Sequence, residues 1–332
     1  MLLNELRDRP VFLCGHPKSG TTLLRSLLDS HPQLVVFPDE TFFLRGFLQE
    51  ADHLKLKQKV SLALRYLLRF FEVHENHPAA LMDLPENERR YAAYVEMCKA
   101  FDVQISAEDG CRHEGDFLSA AILAFGQVYG ALTDDAKYWV EKSTYNEMFA
   151  EQIFGWWPQA KCIQITREPR DIFASYRRKH KSLVPETFAY RWRKSTETGL
   201  NNQNRFGEDQ YLILRYEDLV QEPEAQIEKL TQFLSIRDDA VLRVPSRNGV
   251  PWEGNSMFAD KFSHISTKPL GRWESELSPQ DVQIIEKMAG NQMQACGYPL
   301  GARMSRGAYT HMARWRLSQF RLSWRKAMEE SY

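Results

Sequence analysis

Short apolar segments alternate with segments of helical periodicity along most of the chain. Each apolar segment is bounded by polar or turn-forming residues, which is typical of buried strands. The predicted strands are 11–14, 34–37, 138–140, 162–166 and 211–214. The predicted helices after them are 21–30, 145–157, 170–179, 223–234 and 279–296. This alternation predicts a three-layer α/β fold, in which a central parallel sheet of about five strands is flanked by helices.

A long insert, at about residues 42–137, separates the second and third predicted strands. It has an apolar-rich helical pattern over 54–71 and a second one around 87–101, and no glycine-rich linker borders it. We therefore interpret residues 1–300 as a single domain with a helical insert. Since ligands of open α/β sheets bind at the carboxyl ends of the strands, we expect the insert to cover that edge.

The composition is that of a soluble globular protein. Of the 332 residues, 43% are hydrophobic and 26% are charged, and the net charge of −1 gives no general attraction for nucleic acid. We expect no signal peptide and no membrane anchor, because the first residues are polar and no long apolar run is present. The five scattered cysteines form no C-x-x-C pair, which favours reduced thiols in a cytoplasmic protein over disulfides or a zinc site.

The loop between Gly15 and Thr22 carries the strongest chemical signal. An apolar strand runs into a loop with Gly15 and Gly20 at its ends, and two threonines then open a helix. Free N–H groups and the helix dipole converge on one anion in such a loop. The glycine spacing matches the nucleotide-triphosphatase pattern G-x-x-x-x-G-K-[ST], but Thr21 occupies the lysine position and the lysine lies inside the loop, at Lys18.

A second anion-binding segment follows the strand predicted at 162–166. Arg167 comes at the end of that strand, and Ser175 follows two helical turns later in the pattern R-x-P-R-D-x-x-x-S. An arginine suits this position because its guanidinium fork can hold two phosphate oxygens at once.

Together the two segments resemble those of sulfotransferases that use 3′-phosphoadenosine 5′-phosphosulfate (PAPS) and act on carbohydrate or tyrosine hydroxyls. The resemblance covers about residues 11–300 and implies a P-loop-type fold. It also implies transfer of a sulfuryl group to an acceptor hydroxyl, with adenosine 3′,5′-bisphosphate as product and no metal. In that family the loop holds the 5′-phosphosulfate, and the Arg and Ser of the second segment hold the ribose 3′-phosphate. The cofactor-binding residues implied here are Pro17, Lys18, Ser19, Gly20, Thr21, Thr22, Arg167 and Ser175.

The resemblance also indicates a reacting centre. In the family an acidic residue after the second strand serves as base, and Glu40 matches it best, with Asp39 as the alternative. Cytosolic small-molecule sulfotransferases use a histidine instead, for which His113 is the candidate here. Lys142 ends a strand in a segment similar to the family's E-K-[TS]-P. With Lys18 it is expected to stabilise charge on the transferring group.

Two later segments complete the resemblance. Residues 215–219 resemble the family's R-Y-E-D-L segment, which places Arg215 or Tyr216 near the adenosine. Residues 263–273 resemble a late cofactor-closing loop, in which Ser263, Lys268 or Arg272 contacts the 3′-phosphate.

The C-terminal segment 301–332 predicts a basic helical extension. Residues 301–326 contain seven Lys or Arg and no acidic residue. Such a helix can lie on an anionic membrane, or dock on its own domain or on a second subunit.

Two other functions stay open at this point. One is a P-loop kinase acting on a small molecule, and the other is a non-catalytic nucleotide- or membrane-binding protein. The acceptor stays open as well, among carbohydrates, lipid-linked sugars, phenolic metabolites and peptide tyrosines.

Overall fold

A five-stranded parallel sheet forms the centre of the molecule. The computed structural model describes residues 3–73, 86–106, 110–252, 254, 264–301, 305, 307–308, 310–315 and 317–318. The strands of the sheet are β1 (Pro10–Cys14), β2 (Leu34–Val36), β3 (Tyr138–Lys142), β4 (Lys161–Thr166) and β5 (Tyr211–Arg215). Their order is β2-β3-β1-β4-β5, and every neighbouring pair is parallel. The predicted α/β fold is confirmed.

Helices cover both faces of the sheet. The α-helices are α1 (Leu3–Arg7), α2 (Thr21–Leu28), α3 (Leu48–Ala51), α4 (Leu56–Val73), α5 (Glu86–Ser106), α6 (Gly115–Val128), α7 (Ala150–Trp156), α8 (Pro169–Lys179), α9 (Pro185–Phe206), α10 (Tyr216–Gln221), α11 (Pro223–Leu234), α12 (Trp273–Glu276) and α13 (Pro279–Ala295). A π-helix spans Phe43–Phe47, and 3₁₀-helices span Asn146–Phe149 and Ala240–Arg243. A small antiparallel hairpin consists of β6 (Ser246–Arg247) and β7 (Val250–Pro251).

Alternating side chains of the central strand enter different hydrophobic clusters. Phe12 and Cys14 pack with residues of α6 and α7 on one face of the sheet, and Val11 and Leu13 pack with residues of α2 and α11 on the other. This follows from strand geometry, in which successive side chains point to opposite faces. A third cluster joins α8, α9 and α13.

The insert lies differently from the prediction. Helix α6 packs against β2 and β3, and α4 and α5 pack on α6. The described part of the insert therefore covers a face of the sheet, whereas the sequence predicted that it covers the carboxyl edge. Helix α6 itself was not predicted. Residues 115–126 are all buried, so this helix has no polar face and shows no amphipathic period.

Two other helical regions differ from the prediction, and one predicted helix start is confirmed. The predicted helix 145–157 is a 3₁₀-helix followed by α7, and it begins only at Asn146 because Tyr145 adopts a left-handed conformation at φ 71°. The long helix α9 was missed, since large apolar residues occur only in the first half of its buried face, at Phe188 and Trp192, and small or polar residues such as Ser195 and Gly199 continue it. The predicted start of the last domain helix is confirmed: Ser278 caps α13 by accepting the N–H of Asp281 at 3.2 Å.

The described part of the basic extension docks on its own domain. Ala308 and Met312 pack against Ile284 of α13. The Trp315 indole N–H donates to the Thr187 hydroxyl at 3.3 Å, and His311 pairs with a buried glutamate of α9. The predicted contacts with a membrane or a second subunit stay predictions. No helix among the described residues combines the length and the apolar character needed to cross a membrane.

Candidate active site

The carboxyl ends of all five parallel strands meet at one cavity. Its volume is about 240 Å³, and its walls come from segments that follow these strand ends, from residues 245, 252 and 254, and from the segment 264–272. Ten of the residues predicted from the sequence line it: Pro17, Lys18, Gly20, Thr21, Thr22, Glu40, Arg167, Ser175, Tyr216 and Arg272.

The glycine loop is shaped by two positions that only glycine fits. Gly15 has φ +135°, and a Cβ there would lie 2.5 Å from the Ile165 carbonyl oxygen. Gly20 has φ +107°, and a Cβ there would lie 2.4 Å from the Tyr216 ring. The first helical bond of α2 runs from the Leu24 N–H to the Gly20 oxygen at 3.0 Å. The preceding N–H groups therefore have no partner within the helix and can bind an anion.

Ser19 is placed differently from the prediction. Its side chain is fully buried, and its hydroxyl donates to the His16 carbonyl oxygen at 2.6 Å. Its N–H donates to the same oxygen at 3.1 Å. Both donors of Ser19 are thus used inside the loop, so this residue braces the turn and leaves ligand contact to its neighbours.

Lys18 lies in a positively charged surrounding. Partial burial is the main cause that lowers its pKa, and the cations Lys179 and Lys142 lower it further, while Glu40 raises it. The loop also holds Lys18 at φ 69°, a left-handed conformation that is rare for a lysine. An anion bound in the cavity would relieve this concentration of positive charge.

Glu40 and Lys142 form an ion pair beside the cavity. The Lys142 ammonium donates to a Glu40 carboxylate oxygen at 2.5 Å, although Lys142 does not itself line the cavity. The preceding residue of β3, Glu141, fixes this arrangement. Its buried carboxylate accepts hydrogen bonds from the side chains of Thr41 (2.7 Å), Ser143 (2.5 Å) and Asn146 (2.7 Å). Burial raises the pKa of Glu141, and its hydrogen bonds oppose that rise.

Arg167 connects two segments of the cavity wall. It donates to the carbonyl oxygens of Lys18 at 3.3 Å and Pro269 at 2.9 Å, and its guanidinium lies 4.4 Å from the centre of the Tyr216 ring. Its Nε is buried and has no hydrogen-bond partner among the residues that the structure describes. Arg167 therefore ties the loop to the segment around Pro269 and keeps one donor available.

The late loop is anchored on α8. The Asp171 carboxylate accepts the N–H of Gly271 at 2.8 Å and of Trp273 at 3.0 Å, which holds Arg272 at the cavity. The neighbouring Arg170 pairs with Glu168 and Glu286 and has no part in the cavity.

Several candidates lie outside the cavity. Arg215 pairs with Asp218 and lies over the Tyr298 ring, so of the two residues named for the adenosine only Tyr216 lines the wall. Asp39 accepts the Glu40 N–H at 2.8 Å and pairs with Arg247 at 3.5 Å. Ser263 lies outside the described residues.

His113 is excluded as the base by its place in the fold. Its ring stacks on Trp156 at 5.6 Å, and the adjacent Arg112 pairs with Asp8, just before β1 begins. This is the amino end of the sheet, opposite the cavity.

Part of the cavity wall was not predicted from the sequence. Pro245, Trp252, Gly254, His264 and Ser266 also line the cavity. A local signal existed for the hairpin that carries Trp252, because Asn248-Gly249 between two strand-like pairs is a typical two-residue turn. Both turn residues have positive φ, at 52° and 77°.

No group of three His, Cys, Asp or Glu side chains within the described ranges is arranged to hold a metal ion.

Comparisons with known proteins agree with this geometry. The model of the sulfotransferase family matches residues 10–240. The chain is 24% identical over 289 residues to a protein-tyrosine sulfotransferase of Drosophila melanogaster, covering 83% of this chain and 49% of the relative. It is 26% identical over 305 residues to protein-tyrosine sulfotransferase 1 of Danio rerio, covering 88% of this chain and 73% of the relative.

The fold matches solved structures as well. The sulfotransferase domain from the curacin biosynthetic pathway superposes with a TM-score of 0.55 at 18% identity, covering 88% of this chain and 98% of that domain. The chain spans about half the length of the Drosophila relative and 19% of carbohydrate sulfotransferase 7 of Mus musculus, to which it is 33% identical over 93 residues. Because the family model covers well over half of its residues, the chain belongs to the sulfotransferase family.

Proposed function

We propose that this chain transfers a sulfuryl group from PAPS to the hydroxyl of an acceptor. One observation carries the proposal. A single cavity at the carboxyl edge of the sheet is lined by an anion-binding loop with Lys18, by Glu40, which pairs with Lys142 behind it, and by the buried Arg167. These are the groups needed to hold a charged donor and to take a proton from a hydroxyl.

The cavity residues fit PAPS at both of its charged ends. The amides of Gly20, Thr21 and Thr22 precede the first helical bond and would hold the 5′-phosphate. Arg167, with its unpartnered buried Nε, and the nearby Ser175 would hold the 3′-phosphate. When bound, PAPS supplies a sulfuryl group that is activated by its bond to the 5′-phosphate.

In this proposal Glu40, which lines the cavity, acts as the base for the acceptor. As the acceptor oxygen bonds to sulfur and the sulfur–oxygen bond to the 5′-phosphate breaks, the hydroxyl proton passes to the Glu40 carboxylate. Lys142 holds that carboxylate in place from 2.5 Å away. Lys18, which lines the cavity, would stabilise the negative charge that accumulates on the 5′-phosphate.

We also propose that the reaction takes place in the cytoplasm. All five cysteines are free, and Cys14, Cys162 and Cys296 are buried thiols. Free buried thiols suit a reducing compartment.

Two neighbouring carboxylates allow a matched test of the base. We expect Glu40→Gln to lower kcat by about 100-fold or more, because the base is removed while the amide keeps its shape. Asp39→Asn changes the same charge one residue earlier and should retain kcat within a fewfold range. The assay follows radiolabelled sulfate from PAPS to an acceptor found by screening fractionated extracts of the source cell. Equal turnover of the two variants would refute the assignment of Glu40.

A further inference from the structure

A second cavity adjoins the first across a shared wall. Its volume is 420 Å³, within the range of small-molecule sites. Three pairs of consecutive residues connect the two cavities: Pro17, Thr144 and Ser175 line the first, and the adjacent His16, Tyr145 and Tyr176 line the second. The second cavity therefore borders the same three segments as the first: the glycine loop, the segment after β3 and helix α8.

Aromatic rings form the walls of this second cavity. The His16 ring makes edge contacts with Tyr145 at 5.5 Å, Tyr176 at 6.1 Å and Phe188 at 5.3 Å between ring centres. The His16 Nδ1 donates to the Pro17 carbonyl oxygen at 2.8 Å. Burial lowers the pKa of His16 to about 4, so its ring is neutral near pH 7 and behaves as part of an aromatic wall.

Charged groups of opposite sign act on the tyrosines of this cavity. Burial is the main cause that raises the pKa of Tyr176 to about 12, with Glu40 adding to the rise and Arg191 opposing it. The Tyr176 hydroxyl therefore lies within the electrostatic range of both groups. Burial also raises the pKa of Tyr145, and Arg191 again opposes the rise. Glu40 lines the first cavity and Arg191 lines the second, so a molecule in the second cavity has the carboxylate on the side of the shared wall and the guanidinium within its own walls.

Arg191 lines the cavity and can pair with an anionic group of a ligand. It is exposed on α9 and forms no ion pair with any residue in the described part of the chain. No Asp or Glu occurs among the described residues that line the cavity, and the exposed Lys179 and Lys181 flank the lining residue His180. The nearby acids are already engaged, Glu40 by Lys142 and Glu186 by His311.

We propose that this second cavity binds the acceptor and selects a small aromatic hydroxyl compound that carries an anionic group. The hydroxyl faces Glu40, the ring packs between Tyr145, Tyr176 and Phe188, and the anionic group pairs with Arg191. This inference rests on the proposed function and adds the class of acceptor to it. In the reaction the phenolic oxygen bonds to sulfur, its proton passes to Glu40, and the 5′-phosphate leaves with the electron pair of its broken bond to sulfur.

Three phenols of similar size and different charge test this selection. Initial rates with PAPS are measured for 3-(4-hydroxyphenyl)propionate, 4-ethylphenol and tyramine. For the wild type we expect kcat/KM to be highest for the anion and lowest for the cation. Arg191→Gln should lower kcat/KM for the anion by about fivefold to tenfold, the effect of one charge-assisted contact, and leave 4-ethylphenol unchanged. Arg191→Glu should favour tyramine.

A matched control lies on the same helix. Arg205→Gln removes the same charge from an exposed site 14 residues further along α9, about 21 Å away at 1.5 Å per residue. It should leave the order of the three phenols unchanged. A second readout is calorimetric: with adenosine 3′,5′-bisphosphate bound, 3-(4-hydroxyphenyl)propionate should bind the wild type and bind Arg191→Gln more weakly.

Each adverse outcome has its own meaning. Equal kcat/KM for the three phenols, or an unchanged preference in Arg191→Gln, overturns the acceptor assignment. Lack of transfer to all three, from a protein that binds adenosine 3′,5′-bisphosphate, also overturns it and leaves the sulfotransferase proposal standing. A protein that binds no adenosine 3′,5′-bisphosphate contradicts the proposed function itself, and the acceptor assignment with it.

Discussion

The substitution Gly20→Ala tests whether the loop geometry creates the donor site. The new Cβ would lie 2.4 Å from the Tyr216 ring and 3.1 Å from the Ile165 side chain, at a φ of +107°. The backbone conformation costs an alanine roughly 1–2 kcal/mol. Tyr216 is 6% exposed and lies under Arg167, so it cannot move away freely, and the overpacking costs roughly a further 1–3 kcal/mol.

Gly130→Ala is the control, since it separates the backbone cost from the contact. Gly130 also has a positive φ, +72°, but a Cβ there meets nothing within 4 Å. We expect Gly130→Ala to lose only the backbone term and to bind adenosine 3′,5′-bisphosphate like the wild type. Gly20→Ala should lose more stability and bind the nucleotide at least about tenfold more weakly, which corresponds to about 1.4 kcal/mol. Urea unfolding and calorimetry measure the two quantities. The reasoning is wrong if the two variants lose equal stability and Gly20→Ala keeps its nucleotide affinity.

Two further predictions concern charge. Arg167→Ala should weaken the binding of adenosine 3′,5′-bisphosphate by about tenfold or more, while Arg178→Ala should not, because Arg178 lies near the end of α8 and pairs with Glu276 at the surface. Equal affinities of the two variants by calorimetry would contradict the 3′-phosphate role. The second concerns pH: since burial lowers the pKa of His16 from 6.5 to about 4, the unfolded chain binds more protons between these values. The stability linked to His16 is therefore complete above about pH 6.5 and is lost as the pH falls toward about 4, by about 2 kcal/mol at about pH 5. Urea unfolding at about pH 7.5 and 5 should show this loss in the wild type and a smaller one in His16→Gln, and identical losses would argue against it.

The sequence predicted those parts of the site whose signal is local. The loop at 15–22 and the segment at 167–175 combine their residues within a few positions of a strand end, and a parallel sheet brings strand ends to one edge. Glu40 and Lys142 were predicted separately, each from the strand before it. Their pairing depends on the register of β2 against β3, in which Val36 lies beside Val140.

Features that depend on distant packing were not predicted. The orientation of Ser19 is set by a turn that uses both of its donors. The role of Glu141 becomes visible only when Thr41, a hundred residues earlier, lies beside it. The aromatic walls of the second cavity come from four separate segments of the chain, so no local spacing in the sequence predicts them.

The most direct test of the account is to measure which nucleotide the protein binds. Isothermal calorimetry of the full chain, with adenosine 3′,5′-bisphosphate and with ATP–magnesium in parallel, compares a ligand that has a 3′-phosphate with one that lacks it. The account predicts that adenosine 3′,5′-bisphosphate binds and ATP–magnesium binds far more weakly, because Arg167 and Ser175 have a partner only in the first. Tight binding of ATP–magnesium with no heat from adenosine 3′,5′-bisphosphate would contradict the account and favour a kinase.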